Sequence, residues 1–430
     1  MRTVCIDGHN LALPNGTGIA TYGRNLLTSL SSLGINGQVL YGPPNTISTD
    51  NVLNEVVLAD SLNTSAKVRK SRRYIDTIST RFGRKAIPVL PSGEVIWPSR
   101  SGGRPDAKTF WAAQNLFHYA QRGLQVYGTA TPVTFDGAPK PDIMHWTATL
   151  PLHATNALNV YTIHDLIPLR LPHSTTENKS VYRRLCNYIA KKADHIVVVS
   201  ETTRQDVIRL LGVPEERVTN TYQAVTIPLA LRSRAETEVA LELEGVFGLG
   251  WKDYFLYFGA IEPKKNVGRI IEAYLSSGVK KPLIIVGGRA WLAEGETALL
   301  EQVKRDGGPS ADRIRRYEYM SYSMLLSLIR GARATIFPSL YEGFGLPVLE
   351  SMLLNTAVLT STAGSLPEIA GGAALTVDPY DVGAITKGIQ SLDIDDGLAE
   401  SLVARGKIQA GKFSAEEYEE RLRLLYDNLQ

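Results

Sequence analysis

The sequence has few cysteines, little net charge and no long apolar run, and each scarcity excludes a class of protein. Only two cysteines occur in 430 residues, far apart in the chain, so neither a disulfide framework nor a cysteine metal site is expected. The net charge of +3 carries no overall nucleic-acid signature, and we expect no nucleic acid among the partners. No stretch of roughly eighteen consecutive apolar residues is present, so no membrane-spanning helix is predicted.

The N-terminal stretch MRTVCIDGHN also lacks the apolar region of a secretory signal. Together with the low cysteine content, this predicts a soluble cytoplasmic protein. Apolar residues make up 44% of the chain and charged residues 21%, which is typical of a folded globular protein. Because 430 residues exceed what one hydrophobic core usually supports, we expect two domains of about 200 residues each.

Short β-branched runs alternate with segments of helical periodicity along most of the chain. The runs are RTVCI, NVYTI, HIVVVS, DYFLYFGA, KPLIIVGG, ATIFPSL and TAVLTS. Fully apolar strands that alternate with amphipathic helices predict parallel sheets covered on both faces, so the fold class is α/β and doubly wound. The alternation stops between about 222 and 250, where we place the domain boundary. Ser414 and Glu417 have the spacing of a capping box, which predicts a terminal helix.

Residues 60–140 interrupt this alternation and contain a basic segment. Eight lysines or arginines and one acid, Asp76, lie between Lys67 and Lys85. The segment is either a solvated basic face or a patch for anionic lipid headgroups or for an acceptor that carries phosphate. Only the second interpretation predicts salt-sensitive association with membranes.

The stretch PSLYEGFGLPVLESM combines backbone freedom with two acids. Gly343 and Gly345 allow backbone N–H groups to point into the crevice beyond the preceding strand, next to a helix that we expect to begin at Pro347. Glu342 precedes this helix and Glu350 lies about one turn inside it. Either the acids hold different parts of an elongated ligand whose phosphates meet the helix start, or they merely favour the helix dipole.

The stretch FGAIEPKKNVGRIIEAY places Lys264 and Lys265 in a loop between a strand and a helix that Asn266 would cap. Cations beside the positive end of a helix are unfavourable unless an anion lies between them, and a diphosphate would be such an anion. The alternative is a pair of solvated surface lysines.

Two segments of the first half also follow predicted strands. In DGHNLALPNGTGIATY, Gly16 and Gly18 precede a helix, so backbone amides there are able to approach an anion. In YTIHDLIPL, His164 follows a buried strand. Taken alone, the first also fits a plain loop, and the second also fits a structural histidine.

Taken together, these segments resemble glycosyltransferase family 4. FPSLYEGFGLPVLESM carries the family's Glu-x7-Glu motif, and EPKKN, TIHDLIPL and PEIAGGAA match further stretches of the family in the same order. The resemblance covers most of residues 1–59 and 142–430. It implies the GT-B fold, in which two Rossmann-like doubly wound domains face each other across a cleft. The implied parts are an acceptor domain 1–225, a nucleotide-sugar domain 226–412, and a terminal helix 413–430 that crosses back to the first domain.

The resemblance also implies roles for individual residues. Glu350 would bind the ribose, Glu342 the transferred sugar, and the two lysines the diphosphate, while Tyr319 and Met320 lie where the family contacts the base. The implied catalytic residues are His164, Glu342 and Lys265. The implied substrate-binding residues are Gly16, Thr17, Gly18, Lys264, Lys265, Tyr319, Met320, Glu342, Gly343, Phe344, Gly345, Leu346 and Glu350.

The implied reaction is a sugar transfer that retains anomeric configuration. The cleft segments contain no Asp-x-Asp motif, so neither a metal nor another cofactor is expected, and the lysines and the helix start would stabilise the leaving diphosphate. A nicotinamide dehydrogenase is disfavoured, because GHNLALPNGTG is not a Gly-x-Gly-x-x-Gly loop. An epimerase of the same fold is disfavoured by the Glu-x7-Glu motif together with EPKKN.

The nearest resemblance is to bacterial mannosyltransferases of O-antigen or exopolysaccharide synthesis. It favours GDP-mannose as the donor, with another GDP-sugar or a UDP-sugar as alternatives, and a polyprenyl-diphosphate-linked glycan or a growing polysaccharide as the acceptor. The basic segment 67–85 would then suit peripheral contact with the inner face of the cell membrane. From a different class, a non-catalytic sugar-nucleotide-binding subunit remains the alternative.

Overall fold

The computed structural model describes residues 2–11, 18–44, 48, 50–60, 82–97 and 103–429. These residues form two Rossmann-like α/β domains, each built on its own sheet. Gly16, Thr17 and most of the basic segment lie outside the described residues. Within the described part, none of the helices is long and apolar enough to cross a bilayer.

The first sheet has ten strands in the order β10-β9-β8-β6-β1-β2-β4-β3-β5-β7. Its strands are β1 (Thr3–Asp7), β2 (Asn36–Tyr41), β3 (Arg84–Val89), β4 (Thr109–Ala112), β5 (Thr131–Phe135), β6 (Ile143–Trp146), β7 (Leu152–Ala154), β8 (Leu158–Ile163), β9 (His195–Val198) and β10 (Val218–Asn220). All neighbours pair in parallel except β3 and β4, which are antiparallel. The expectation of a purely parallel sheet is therefore wrong at this point. No helix is present between these two strands in the residues described there, and an antiparallel pair needs no helical crossover.

The helices of the first domain cover both faces of its sheet. They are α1 (Gly18–Ser32), α2 (Asn51–Asp60), α3 (Leu116–Tyr127), α4 (Ile167–Arg170), α5 (Lys179–Lys192) and α6 (Glu201–Leu211). Helix α1 buries the apolar stripe that includes Tyr22, Leu26 and Leu30. Helix α6 begins where the Ser200 side chain accepts a hydrogen bond from the amide of Thr203, and it ends at Gly212 in the left-handed conformation.

The second sheet has six strands in the order β13-β12-β11-β14-β15-β16, and all of them are parallel. Its strands are β11 (Phe255–Phe258), β12 (Leu283–Val286), β13 (Ile314–Tyr317), β14 (Ala334–Phe337), β15 (Ala357–Ser361) and β16 (Leu375–Val377). Every residue of β11, β12, β14 and β15 is buried, as expected for strands covered by helices on both faces.

The helices of the second half are α7 (Leu229–Arg232), α8 (Glu236–Phe247), α9 (Val267–Ser277), α10 (Glu294–Asp306), α11 (Pro309–Arg313), α12 (Tyr322–Gly331), α13 (Leu346–Leu353), α14 (Leu366–Ala370), α15 (Val382–Ile394), α16 (Asp396–Gly411) and α17 (Ala415–Asn428). Helix α8 packs against α12, and α16 packs against α13. The chain after the β10 strand therefore joins the second domain before β11 begins.

Helix α17 leaves the second domain and packs against α1 of the first. The Ser414 side chain accepts a hydrogen bond from the amide of Glu417 at 3.3 Å and so caps its start. At its far end, the Arg2 guanidinium donates to the carbonyl of Leu429 at 2.7 Å. The end of the described chain is thus held against its beginning.

Candidate functional site

Two helices begin opposite each other across the cleft between the domains. A Cβ atom placed on Gly18, at the start of α1, would lie 3.4 Å from Leu346 Cδ1, at the start of α13. Gly345 precedes α13 with φ 130°, a conformation that favours glycine. Because Gly345 takes the capping position, the helix begins at Leu346 and Pro347 occupies its second position. The expectation that Pro347 is the first helical residue is wrong by one.

The loop before α13 contacts the loop after β8 of the other domain. A Cβ on Gly343 would overlap the carbonyl oxygen of His164 and lie 2.8 Å from Asp165 Cβ, so only glycine fits. The Thr203 hydroxyl is 3.2 Å from the His164 carbonyl oxygen and 3.4 Å from that of Gly343. The second-domain glycine loop and the first-domain histidine therefore lie side by side.

A second contact between the domains lies beside this loop. The Glu368 carboxylate, from the PEIAGGAA stretch, accepts hydrogen bonds from the amides of Glu201 at 2.7 Å and Thr202 at 3.2 Å. These amides belong to the first turn of α6, whose N–H groups have no partner within the helix. The Tyr341 hydroxyl also donates to Asp206 on the same helix. One domain thus supplies part of the cap of a helix in the other.

Glu342 forms an ion pair with Lys265. The Lys265 Nζ and Glu342 Oε1 atoms are 2.6 Å apart, and the two side chains are 18% and 13% exposed. Burial alone would raise the pKa of Glu342, but the ammonium groups of Lys265 and Lys264 outweigh burial and hold this pKa below its ordinary value. Glu342 is therefore ionised at neutral pH.

Lys264 is also paired, with Glu262 at 3.4 Å. Burial disfavours the charged ammonium, but the carboxylates of Glu342, Asp165 and Glu262 together raise the pKa of Lys264. The interpretation of the two lysines as solvated surface residues is thus wrong. The idea that their charge requires a bound anion is also too simple, since protein carboxylates already lie beside them.

Asn266 does not cap α9 with its side chain, contrary to expectation. It adopts a left-handed conformation with φ 65°, which asparagine tolerates better than most residues. Its side-chain amide donates instead to the carbonyls of Pro338 at 2.9 Å and Pro379 at 2.7 Å. Asn266 therefore ties the lysine turn to the loop that carries Glu342.

Glu350 lies inside α13 and lines a cavity of about 290 Å³. The cavity is lined by Thr21, Ala224, Val225, Thr226, Pro228, Tyr322, Leu346 and Glu350, which come from both domains and the chain between them. Burial raises the pKa of Glu350 to about 7. Burial, with the nearby charge of Glu350, also raises the pKa of Tyr322 to about 12. The structure places Glu342 in the loop before α13 and Glu350 inside that helix, as the sequence predicted.

The predicted base contacts do not line this cavity. Tyr319 is 84% exposed and Met320 is partly buried, whereas Tyr322 faces the cavity. Sequence reasoning missed Tyr322 because it belongs to the same segment and no local pattern distinguishes neighbouring positions at the start of a helix. Phe344 packs its ring near Tyr222 and Phe413, with centroids 6.5 and 5.7 Å away. Its side chain therefore belongs to an aromatic cluster.

His164 is held by a backbone carbonyl of its own domain. Its Nε2 atom lies 2.8 Å from the carbonyl oxygen of Thr147, which accepts only, so Nε2 carries a proton. Burial lowers the pKa of His164, so the ring is neutral near pH 7 and Nδ1 keeps its lone pair. Asp7 holds Thr147 in turn, accepting from its amide at 2.5 Å and its hydroxyl at 2.8 Å. Sequence reasoning missed Asp7, although it ends β1 just as His164 follows β8.

The structure therefore brings most of the predicted residues to one cleft. The residues that lie there are Gly18, His164, Lys264, Lys265, Glu342, Gly343, Gly345, Leu346 and Glu350. Among the residues that the structure covers, no cluster of three or more side chains is arranged to hold a metal ion. The second-domain side of this arrangement offers two ammonium groups, an ionised carboxylate and a helix start. The first-domain side offers His164, whose backbone carbonyl contacts Gly343 and whose imidazole is neutral.

Two family models match this chain. Residues 98–226 match the model described as Glycosyltransferase Family 4, and residues 249–409 match Glycosyl transferases group 1. The first match begins inside the region 60–140, which the sequence resemblance left unaligned. Together the two matches cover parts of both domains and the cleft between them.

The relatives and the solved structures agree with these matches. O-antigen chain mannosyltransferase B of Escherichia coli is 36% identical over 263 residues, which are 60% of this chain and 67% of that protein. Serotype-specific mannosyltransferase WbdA of Escherichia coli is 28% identical over 273 residues, and the match spans 63% of this chain but 33% of that protein. Sucrose-phosphate synthase from Thermosynechococcus elongatus shares the fold, with a TM-score of 0.66 at 15% identity over 100% of this chain and 99% of that one.

Proposed function

This chain belongs to glycosyltransferase family 4, and we propose that it transfers mannose from GDP-mannose to a lipid-linked or polysaccharide acceptor in the synthesis of a cell-surface glycan. The observation that carries the choice of mannose is the 36% identity to an O-antigen chain mannosyltransferase over 263 residues. Other relatives are also named as O-antigen or serotype-specific mannosyltransferases.

The polar groups on the second-domain side of the cleft favour the proposal that the leaving group is a diphosphate. Negative charge grows on the diphosphate as the sugar–phosphate bond breaks. Lys265 lines a small pocket together with Gly345 and Pro347 at the start of α13, and Lys264 precedes it in the chain, so both ammonium groups and the helix start would favour that charge. Removing one such preorganised group typically costs about 3 kcal/mol of transition-state stabilisation. We propose that these groups replace a metal ion, so that the reaction requires none.

The Glu342–Lys265 pair supports a direct reaction at the sugar. Lys265 keeps Glu342 ionised and occupies one of its oxygens at 2.6 Å, which suits a carboxylate that accepts sugar hydroxyls better than one that attacks carbon. We infer that the acceptor displaces the diphosphate by attacking the sugar on the same face from which the diphosphate departs, without a covalent intermediate. A glycosyl-enzyme trapped on Glu342 and identified by mass spectrometry would contradict this inference.

The acceptor proposed is a glycan on polyprenyl diphosphate or a growing polysaccharide chain, reached by peripheral contact through the basic segment 67–85. Of that segment the structure describes residues 82–85, where Lys85 pairs with Asp136 at 3.2 Å in an exposed position. Co-sedimentation with vesicles tests this contact. Binding to anionic but not to neutral vesicles, weakened by salt, is expected, and equal recovery with both would contradict the proposal.

The donor is tested by thermal shift and by slow hydrolysis of sugar nucleotides, in EDTA and without added metal. GDP and GDP-mannose are expected to raise the melting temperature, and GDP-mannose is expected to be hydrolysed without acceptor. Glu350→Ala should abolish the shift if this acid holds the ribose. Stabilisation by UDP compounds alone would indicate a UDP-sugar as the donor in place of GDP-mannose. Hydrolysis of another GDP-sugar in place of GDP-mannose would identify that sugar as the donor. Binding without hydrolysis would indicate a non-catalytic subunit.

A further inference from the structure

A chain of hydrogen-bonded side chains runs from the terminal helix into the first domain. The Tyr426 hydroxyl on α17 lies 2.6 Å from Nδ1 of His145 on β6. Nε2 of His145 lies 2.8 Å from the Thr162 hydroxyl on β8, which lies 2.9 Å from the Tyr22 hydroxyl on α1. All four side chains are at most 1% exposed. The chain thus joins four elements that are distant in sequence.

The series of hydrogen-bonded side chains ends at Tyr22, which contacts His164. The ring of Tyr22 meets the imidazole of His164 edge-on, with centroids 4.9 Å apart and planes at 88°. Such edge-to-face contacts are attractive and directional. The carbonyl of Thr147 holds the Nε2 atom of the same imidazole at 2.8 Å. The orientation of His164 therefore rests on two separate supports.

We propose that Tyr426 is a positioning residue for His164, and that the terminal helix acts on the cleft by holding the Tyr22 ring against the imidazole. This inference rests on the proposed function in one respect, namely that His164 belongs to the donor site. It assigns α17 a part in the reaction although none of its residues lines the cleft cavity around Glu350.

Tyr426 is able to act on His164 because each buried polar group in this series of hydrogen bonds depends on its neighbour for a partner. Burial lowers the pKa of His145 to about 3, so its ring is neutral and has one donor and one acceptor nitrogen. Both nitrogens are engaged, one by Tyr426 and one by Thr162. Without the Tyr426 hydroxyl, one nitrogen of a fully buried ring has no partner, which is costly in a low-dielectric interior. Movement of His145 towards another partner would release Thr162 and, through it, Tyr22.

The test is a double-mutant cycle on the turnover of the donor. Tyr426→Phe removes one hydroxyl and keeps the ring, and Tyr254→Phe is the matched control. The Tyr254 hydroxyl is equally buried and donates to the carbonyl of Leu328 at 2.6 Å within the second domain. At a similar loss of melting temperature, Tyr426→Phe should lower kcat roughly three- to tenfold more than the control, the scale of one hydrogen bond.

In a His164→Asn background, Tyr426→Phe should cause no further loss of kcat, because residues that act through each other are not additive. Tyr22→Phe should behave in the same way as Tyr426→Phe. Equal losses in both backgrounds, or an equal effect of Tyr254→Phe, would overturn the proposal and leave Tyr426 with a role in stability alone.

A spectroscopic measurement separates this inference from the proposed function. The ring nitrogens of His164, assigned by comparison with His164→Asn in histidine-labelled protein, are observed by NMR without any ligand. Tyr426→Phe and Tyr22→Phe should shift these resonances, and Tyr254→Phe should not. If they shift and no sugar nucleotide is hydrolysed, the positioning is correct and the proposed function fails. If they do not shift in an active enzyme, the positioning is wrong.

Discussion

The two walls of the cleft hold their polar side chains in different ways. On the second-domain wall, Lys264 and Lys265 are charged and face carboxylates, and their side chains are 18% exposed. On the first-domain wall, His164 is neutral and is held by a carbonyl and an aromatic ring. The second-domain wall therefore presents charged side chains, and the first-domain wall presents a neutral side chain in a fixed orientation.

This difference has a consequence for binding. Partly exposed ion pairs are able to exchange partners when a charged ligand arrives, because water compensates for the rearrangement. The network behind His164 is fully buried, so solvent does not compensate for a rearrangement, and we expect its geometry to be the same with and without a ligand. We therefore expect the second wall to adapt to the donor and the first wall to stay rigid.

The largest effect is expected from removing a charge on the second-domain wall. Lys265→Ala should lower kcat/KM by roughly 100- to 1,000-fold, because it removes a preorganised cation and leaves Glu342 buried without its partner. Lys281→Ala is the control, since Lys281 pairs with Asp393 at 2.8 Å elsewhere in the second domain. The control should change melting temperature and not kinetics. A Lys265→Ala enzyme with near-normal kinetics would show that charge on this wall is not needed.

A smaller effect concerns Glu350 and pH. Its pKa is about 7 in the fold against an ordinary 4.5, so the folded protein binds more protons between these values, and the associated stability is full below about pH 4.5 and lost as the pH rises through 7. Relative to Glu350→Gln, the wild-type melting temperature should therefore fall between about pH 5 and 8. Nucleotide affinity should rise over the same interval if the ionised carboxylate binds ribose hydroxyls. Parallel melting curves for the two proteins would contradict the raised pKa.

The neutral wall should respond less strongly. His164→Asn removes the imidazole and should lower kcat roughly tenfold, the scale of a lost hydrogen bond to a neutral group in the transition state. Because burial lowers the pKa of His164, wild-type kcat should show no inflection from this residue between about pH 6.5 and 8. An inflection in that interval that disappears in His164→Asn would show that the imidazole titrates there.

The smallest effect is expected from removing a contact between the two domains. Glu368→Ala removes part of the cap of α6 across the domain boundary and should cost about 1 kcal/mol of stability. Asp395→Ala is matched to it, because Asp395 caps α16 within one domain by accepting from the Leu398 amide at 2.8 Å. Both should lower the melting temperature by a few degrees. Only Glu368→Ala should increase the radius of gyration in small-angle scattering, and equal radii would indicate that Glu368 does not hold the domains together.

Much of the fold was predictable from the chain. The runs HIVVVS, DYFLYFGA and KPLIIVGG all contain strands, and the apolar stripes on α1 and α9 are buried. Several strands of the first sheet escaped prediction because their sequences mix polar and apolar residues, as in NGQVLY and RKAIPV. The antiparallel step between β3 and β4 carries no local signal, since pairing direction depends on how the connecting chain returns.

The site was predictable where a short segment carries its own chemistry. Gly343, Gly345, Glu342 and Glu350 are close in sequence, so the glycine loop, the helix start and the different placement of the two acids follow from local geometry. Asp7 and Thr147 were missed because each matters through a contact with a distant part of the chain.

The sequence by itself determined the alternation of strands and helices, the loops at their ends and the acids and lysines that lie on them, because periodicity and glycine freedom are properties of short segments. Only the tertiary structure decided the partners: Lys265 meets Glu342 across 77 residues, and Tyr426 meets His145 across 281. Such pairs depend on the order of strands in the sheets and on where the terminal helix docks, and local pattern encodes neither. The charge of Glu342 and the support behind His164 depend on those contacts, and the neutrality of His164 depends on its burial.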